Sequence, residues 1–80
     1  MQSEFLNARS LLLMGRAIVA MRRRRGWTQA ELAKQAGVSR PWLSELEHGR
    51  TFGVELGRVM RVLDALDASL YVHDDLGGDA

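Results

Sequence analysis

The chain has 80 residues, 46% of them hydrophobic, with a formal net charge of +1 and no cysteine. That length holds one domain and buries only about 60 to 65% of its unfolded surface, so self-association would help it. The lack of cysteine excludes disulfides and thiolate metal sites, and His48 and His73 are too few and too isolated for a metal cluster.

Residues 1–10 show no period and are read as an N-terminal extension. The first helix is predicted over Leu12–Arg25, with Met14, Ile18 and Met21 on its inner stripe. The apolar run Leu11–Met21 is broken by Gly15 and Arg16. It is too short to span a bilayer and lacks the basic start of a signal peptide, so no membrane or export role is expected and a cytoplasmic, nucleoid-associated setting is. At its end, Arg22–Arg25 is either a solvated last turn that complements the helix dipole or a source of phosphate contacts through Arg23, Arg24 or Arg25, with Arg24 placed in the candidate set.

The second helix starts at Gln29, because Thr28 and Glu31 have the spacing of a capping box and Trp27 and Leu32 that of a hydrophobic staple. Its inner side is Leu32, Ala33 and Ala36. Gly37 stands where a helix needs a left-handed residue, and only two residues follow before the third helix starts at Arg40, capped by Ser39 with Pro41 in its first turn and Val38 facing Leu43. Two short capped helices joined by so tight a turn form a helix-turn-helix unit.

On the third helix Leu43, Leu46 and the stem of Glu47 share the inner face, leaving Arg40, Pro41, Ser44, Glu45 and His48 outside. These side chains suit a major groove: Arg40 can bond guanine O6 and N7, Ser44 several base edges, Glu45 cytosine N4, and Pro41 a thymine methyl. Thr28 and Ser39, at the two helix starts, join the candidate DNA-facing set. Trp42 lies at the edge of the core face, either as a half-buried prop or as a phosphate or sugar contact. Residues His48–Val54 read as a loop.

The fourth helix is predicted over Glu55–Leu66, with a broad apolar face of Leu56, Val59, Met60, Val62, Leu63 and Leu66, part of it available to a second subunit. Beyond it, ASLYVHD alternates like a strand over residues 68–74. A lone strand must pair, and the same strand of another copy is the partner expected. Leu66, Leu70, Tyr71 and Val72 are therefore assigned to a homodimer interface. Residues 75–80 read as a flexible acidic tail; Asp75 and Asp79 in it, and Asp74 just before it, are either solvated or in contact with a partner, and His73 reads as a strand surface residue.

The domain outline is therefore a 1–10 extension, an 11–67 helix-turn-helix domain, a 68–74 dimerisation strand and a 75–80 tail. Charge divides along it: residues 1–50 carry nine Arg or Lys against four Glu, a net +5, and residues 51–80 two Arg against six acids, a net −4. The basic half suits a phosphate backbone. No nucleophile, His/carboxylate cluster or glycine-rich phosphate loop stands at convincing spacing, so neither enzyme activity nor a cofactor is expected.

From about Gly15 to Leu66 the chain resembles the helix-turn-helix domain of phage-repressor-type regulators, the Cro/C1 or Xre-type family, with TQAELAKQAGVS and LSELEHGR as the strongest signatures. The resemblance implies a mainly α fold of four to five helices. It also implies that Gln29 holds the DNA backbone, that Arg50 contacts phosphate, and that Arg22 pairs with Glu47 as a structural element. The layout VMRVLDALDASLYVHD is most similar to HipB-like antitoxins. That likeness implies a homodimer on a double-stranded operator with an inverted repeat, a HipA-like kinase toxin as partner, and control of its own operon. Pro41 and Trp42 depart from the family pattern, so no operator sequence carries over. A free-standing repressor without a toxin is the alternative, and a protein-interaction module that no longer reads DNA is a third reading.

Overall fold

The computed structural model describes residues 4–50 and 53–77. Among them are four helices, α1 (Leu11–Arg24), α2 (Gln29–Ala36), α3 (Arg40–Glu47) and α4 (Leu56–Ala65). Three start at a hydroxyl cap: Ser10 accepts from the Leu13 N–H, Thr28 from Glu31 and Ser39 from Trp42, each within 3.2 Å. An N-terminal turn has unpaired N–H groups, and a short side-chain oxygen satisfies one of them. Thr28 and Glu31 complete a capping box, since the Thr28 N–H donates to Glu31 Oε1 at 2.9 Å.

All four helices close alike, with a 6→1 hydrogen bond from Trp27 to Arg22 O, Val38 to Ala33 O, Arg50 to Glu45 O and Ala68 to Leu63 O. Such a closure turns on a residue in the left-handed region, and these are Gly26, Gly37, Gly49 and Asp67. Gly37, at φ 70°, is what allows α3 to begin so soon after α2.

α1 packs on α3, and α2 on both α3 and α4. Ile18, Leu32, Leu43, Leu46, Val59, Val62 and Leu66 are the fully buried side chains at the centre. Burial of each contributes about 1.5 to 3 kcal/mol. The α1–α3 contact is closest at Gly15, where a Cβ would lie 2.5 Å from the carbonyl oxygens of both Leu46 and Glu47.

Both ends of α1 and of α4 shift by one residue from the predicted Leu12–Arg25 and Glu55–Leu66. α1 starts at Leu11, because Ser10 caps it, and α4 starts at Leu56, because Glu55 takes the extended N-cap conformation. Residues 48–50 and 53–55 are non-helical, in keeping with the predicted loop; residues 51 and 52 lie outside the described residues. Residues 1–3 and 78–80, Asp79 included, also lie outside them.

Among the described residues there is no strand: residues 68–74, expected to pair with a second copy, have no regular structure within the single chain. One expectation is corrected. Leu66, assigned to the subunit interface, is fully buried in the chain's own core. It caps the end of α4 over the Val62 turn and presents no surface to a second copy. The apolar side chains that α4 leaves outside are Leu56 and Met60.

Residues 4–9 are not a detached extension. Phe5 meets Tyr71 edge-on with ring centroids 5.7 Å apart, Glu4 pairs with Arg24 at 2.6 Å, and Arg9 with Asp75 at 3.6 Å. Residues 4–9 thus run beside residues 71–75, with Glu4 against the end of α1. These ion pairs are exposed and contribute little stability, about 0 to 1 kcal/mol each.

Candidate nucleic-acid interface

The cap hydroxyls of Thr28 and Ser39 accept hydrogen bonds from their own helices. Each O–H proton is thereby left to donate outward, toward an acceptor such as phosphate oxygen. On α3, Arg40, Pro41, Glu45 and His48 are exposed and Ser44 is half-buried, whereas Leu43, Leu46 and Glu47 face inward. The 100° step of the helix produces this division, since 40, 41, 44, 45 and 48 fall on one side. Arg40 and Arg50 are exposed and have no ion-pair partner among the described residues.

Behind this face lies a buried polar knot. Arg22 Nε donates to Glu47 Oε2 at 2.8 Å, its Nη2 to Oε1 at 3.0 Å, and its Nη1 to the Trp27 carbonyl at 2.9 Å. Gln29 Nε2 donates to Glu47 Oε1 at 2.8 Å. The Glu47 side chain is 2% exposed and that of Arg22 11%, so the carboxylate survives burial only because these three donors satisfy it. The knot links α1, the turn after it, α2 and α3. Through it, the start of α2 is held at a fixed distance from the reading face of α3.

Gln29, assigned to the DNA backbone, thus spends one amide hydrogen on Glu47 and retains the other, with its Oε1, for a ligand. Arg24 is not brought to this face. It is paired with Glu4, while Arg25 folds back to donate to the Met21 carbonyl. Of Arg23, Arg24 and Arg25, it is Arg23 that lines a groove with Arg22, Gln29, Glu47 and His48. Trp42 is half-buried against the core with the Arg58 guanidinium 5.7 Å from its ring centroid, the geometry of a prop with a cation over its face.

Glu31 titrates below the ordinary carboxylate value. The Thr28 backbone N–H and then the Thr28 hydroxyl hold its carboxyl below the usual 4.5. In the remaining candidate set, Leu70, Tyr71 and Val72 are all exposed, at 39%, 71% and 96%. Sequence reasoning offered Arg23 as one of three alternatives for phosphate but missed Arg16, which lines the same groove beside His48, although its i, i+7 spacing from Arg23 on one predicted helix was available.

A family of helix-turn-helix domains matches residues 13–76. No curated protein matches the chain. Among solved structures, a complex of a HipB variant with an O2 20mer is similar at 29% identity and a TM-score of 0.78, over 90% of this chain and 99% of that one. A chain of the HipA-HipB-O2-O3 complex is 27% identical at a TM-score of 0.73, over 94% and 99%. The clp gene regulator ClgR from C. glutamicum is 39% identical at a TM-score of 0.66, over 74% and 75%.

Proposed function

Because the chain belongs to the helix-turn-helix domain family, we propose that it is a sequence-specific transcriptional repressor, the antitoxin of a HipBA-like pair. In this reading it binds a palindromic operator as a homodimer and docks a kinase-like toxin. The observation that carries the DNA-binding part is the geometry of α2 and α3. Two cap-started helices meet across Gly37, and the buried Arg22–Glu47–Gln29 knot holds them together, leaving Arg40, Pro41, Ser44 and Glu45 for base edges. Thr28, Gln29, Ser39 and Arg50 flank them for the backbone.

The antitoxin part is supported by the reach of the similarity. Likeness to the two HipB complexes covers 90% and 94% of this chain, against 74% for ClgR, so it takes in segments beyond the four helices. The homodimer is supported by residues 68–74, where Leu70, Tyr71 and Val72 are exposed and the alternating pattern has no ladder among the described residues. A second copy related by a two-fold axis would supply that ladder. The 39% identity to ClgR favours, as a second reading, a free-standing repressor without a toxin.

Selection of bound duplexes from a random library, followed by sedimentation of the complex, tests the first part. The expected result is an inverted repeat with half-sites about 10 bp apart, bound by two chains. A bound single site with one chain would refute the dimer. Pull-down of the tagged chain with and without nuclease tests the second part: a nuclease-resistant kinase-like protein is expected, and DNA alone would move the reading to the free-standing repressor.

A further inference from the structure

Between α1 and the end of α3 lies a groove of about 350 Å³ lined by Arg16, Val19, Arg23, Gln29, Glu47 and His48. Arg16 and Arg23 are both exposed and have no ion-pair partner among the described residues, unlike Arg22 between them. The carboxylate at the back of the groove, Glu47, is already neutralised by Arg22. The net charge offered to a ligand is therefore positive. We infer that this groove is a second phosphate-binding site, formed by Arg16, Arg23 and His48, for the DNA strand that borders the major groove read by α3; the inference rests on the DNA-binding reading above.

Three features favour a duplex backbone over a small anion. Arg16 and Arg23 stand seven residues apart on α1, about 10 Å along its axis, a spacing suited to successive phosphates of one strand. The groove also adjoins Gln29, so it continues the line of candidate backbone contacts at the start of α2. Finally, His48 follows Ser44 by one turn of α3, which sets it beside the bases that Ser44 and Glu45 would read.

His48 gives the site a signature. Its Nδ1 lies 2.7 Å from the Ser44 carbonyl, which can only accept, so Nδ1 carries the hydrogen and donates. In the neutral ring Nε2 is then a bare lone pair, which repels a phosphate oxygen. In the imidazolium Nε2 is a donor, so phosphate binding favours the protonated ring. The charged groups facing the ring across the groove are Arg16, Arg22 and Arg23 of α1 and Glu47 at the end of α3. A bound phosphate supplies the negative charge that favours protonation against the three arginines.

The test uses the full chain, a library-selected duplex and a random duplex of equal length, read by fluorescence anisotropy across 50 to 300 mM salt. Arg16→Ala and Arg23→Ala are expected to weaken both duplexes by the same factor and to lower the slope of log K against log salt by about 0.9 for each phosphate lost. The unaltered protein is expected to bind several-fold more tightly at pH 6 than at pH 8, and His48→Gln to lose that difference while retaining its fold by circular dichroism. Unchanged slopes in both arginine variants, with salt-dependent binding intact in the unaltered protein, overturn the second site but leave DNA binding standing. No salt-dependent binding at all in the unaltered protein overturns the DNA reading itself. Titration with inorganic phosphate at constant ionic strength separates the sources: displacement of duplex by millimolar phosphate would reassign the groove to a small anion.

Discussion

Gly15→Ala isolates the contact on which the placement of the reading helix depends. A Cβ at this position would lie 2.5 Å from the carbonyl oxygens of both Leu46 and Glu47, about 0.9 Å inside ordinary van der Waals contact at 3.4 Å. Both neighbours are backbone, so no side chain can swing away and α3 must move as a body, taking Glu47 from Arg22. Overpacking of this kind costs about 1 to 3 kcal/mol, whereas Gly→Ala by itself stabilises by about 0.4 to 1 kcal/mol through the unfolded state. With the clash at the upper end of its range the net loss is about 2 kcal/mol, and an 80-residue domain then loses about 8 to 16 °C in Tm. Gly57→Ala is the matched control: a Cβ there meets nothing nearer than Glu55 Oε1 at 3.8 Å, and Tm is expected to rise by about 2 to 8 °C. Calorimetry of the three proteins at one concentration decides, because the proposed dimer would make Tm concentration-dependent. If Gly15→Ala raises Tm as Gly57→Ala does, the two helix backbones are not in contact there and the reasoning is wrong.

Arg22→Ala leaves the Glu47 carboxylate, 2% exposed, without its charge partner, and is expected to cost about 3 to 5 kcal/mol in urea unfolding. The double variant Arg22→Met with Glu47→Leu is expected to recover most of that, and a loss as large as in the single variant would show that packing, not charge, accounts for the effect. Glu31 titrates below its ordinary 4.5 in the folded chain, so its cap contributes stability above that value and loses it as pH falls through the lowered one. Urea midpoints between pH 7 and 3 should therefore fall less steeply for Glu31→Gln than for the unaltered protein; parallel curves would remove the capping box from the acid limb. Arg40→Ala is expected to cost about 1 to 3 kcal/mol on the selected operator and to relax specificity at one base pair, whereas equal weakening on random DNA would make Arg40 a phosphate contact.

The sequence by itself determined whatever is decided within about five residues. Thr28 with Glu31, Ser39 with Pro41, and Gly37 after Ala36 place the start of α2, the start of α3 and the turn between them, because capping and left-handed closure are satisfied by neighbouring atoms. Ser10 carried the same signal for α1, but no acid three residues on completed a box, and the boundary was set one residue late. The Arg22–Glu47 pair, 25 residues apart in the chain, came from family resemblance and not from any local pattern.

Only the tertiary structure decided which way the remaining side chains face. Arg23 and Arg24 are adjacent in sequence, but a 100° rotation per residue sends the first into the groove with His48 and the second to Glu4. Leu66 belongs to the same apolar pattern as Met60, yet the closing turn of α4 tucks it into the core while Met60 remains half exposed. Residues 1–10 carry no period that could announce the Phe5–Tyr71 contact, since nothing in either segment specifies a partner some 65 residues away. Local hydrogen bonding fixes the helices one at a time; the face each one presents is fixed by the packing of the other three, and that information is distributed over the whole chain.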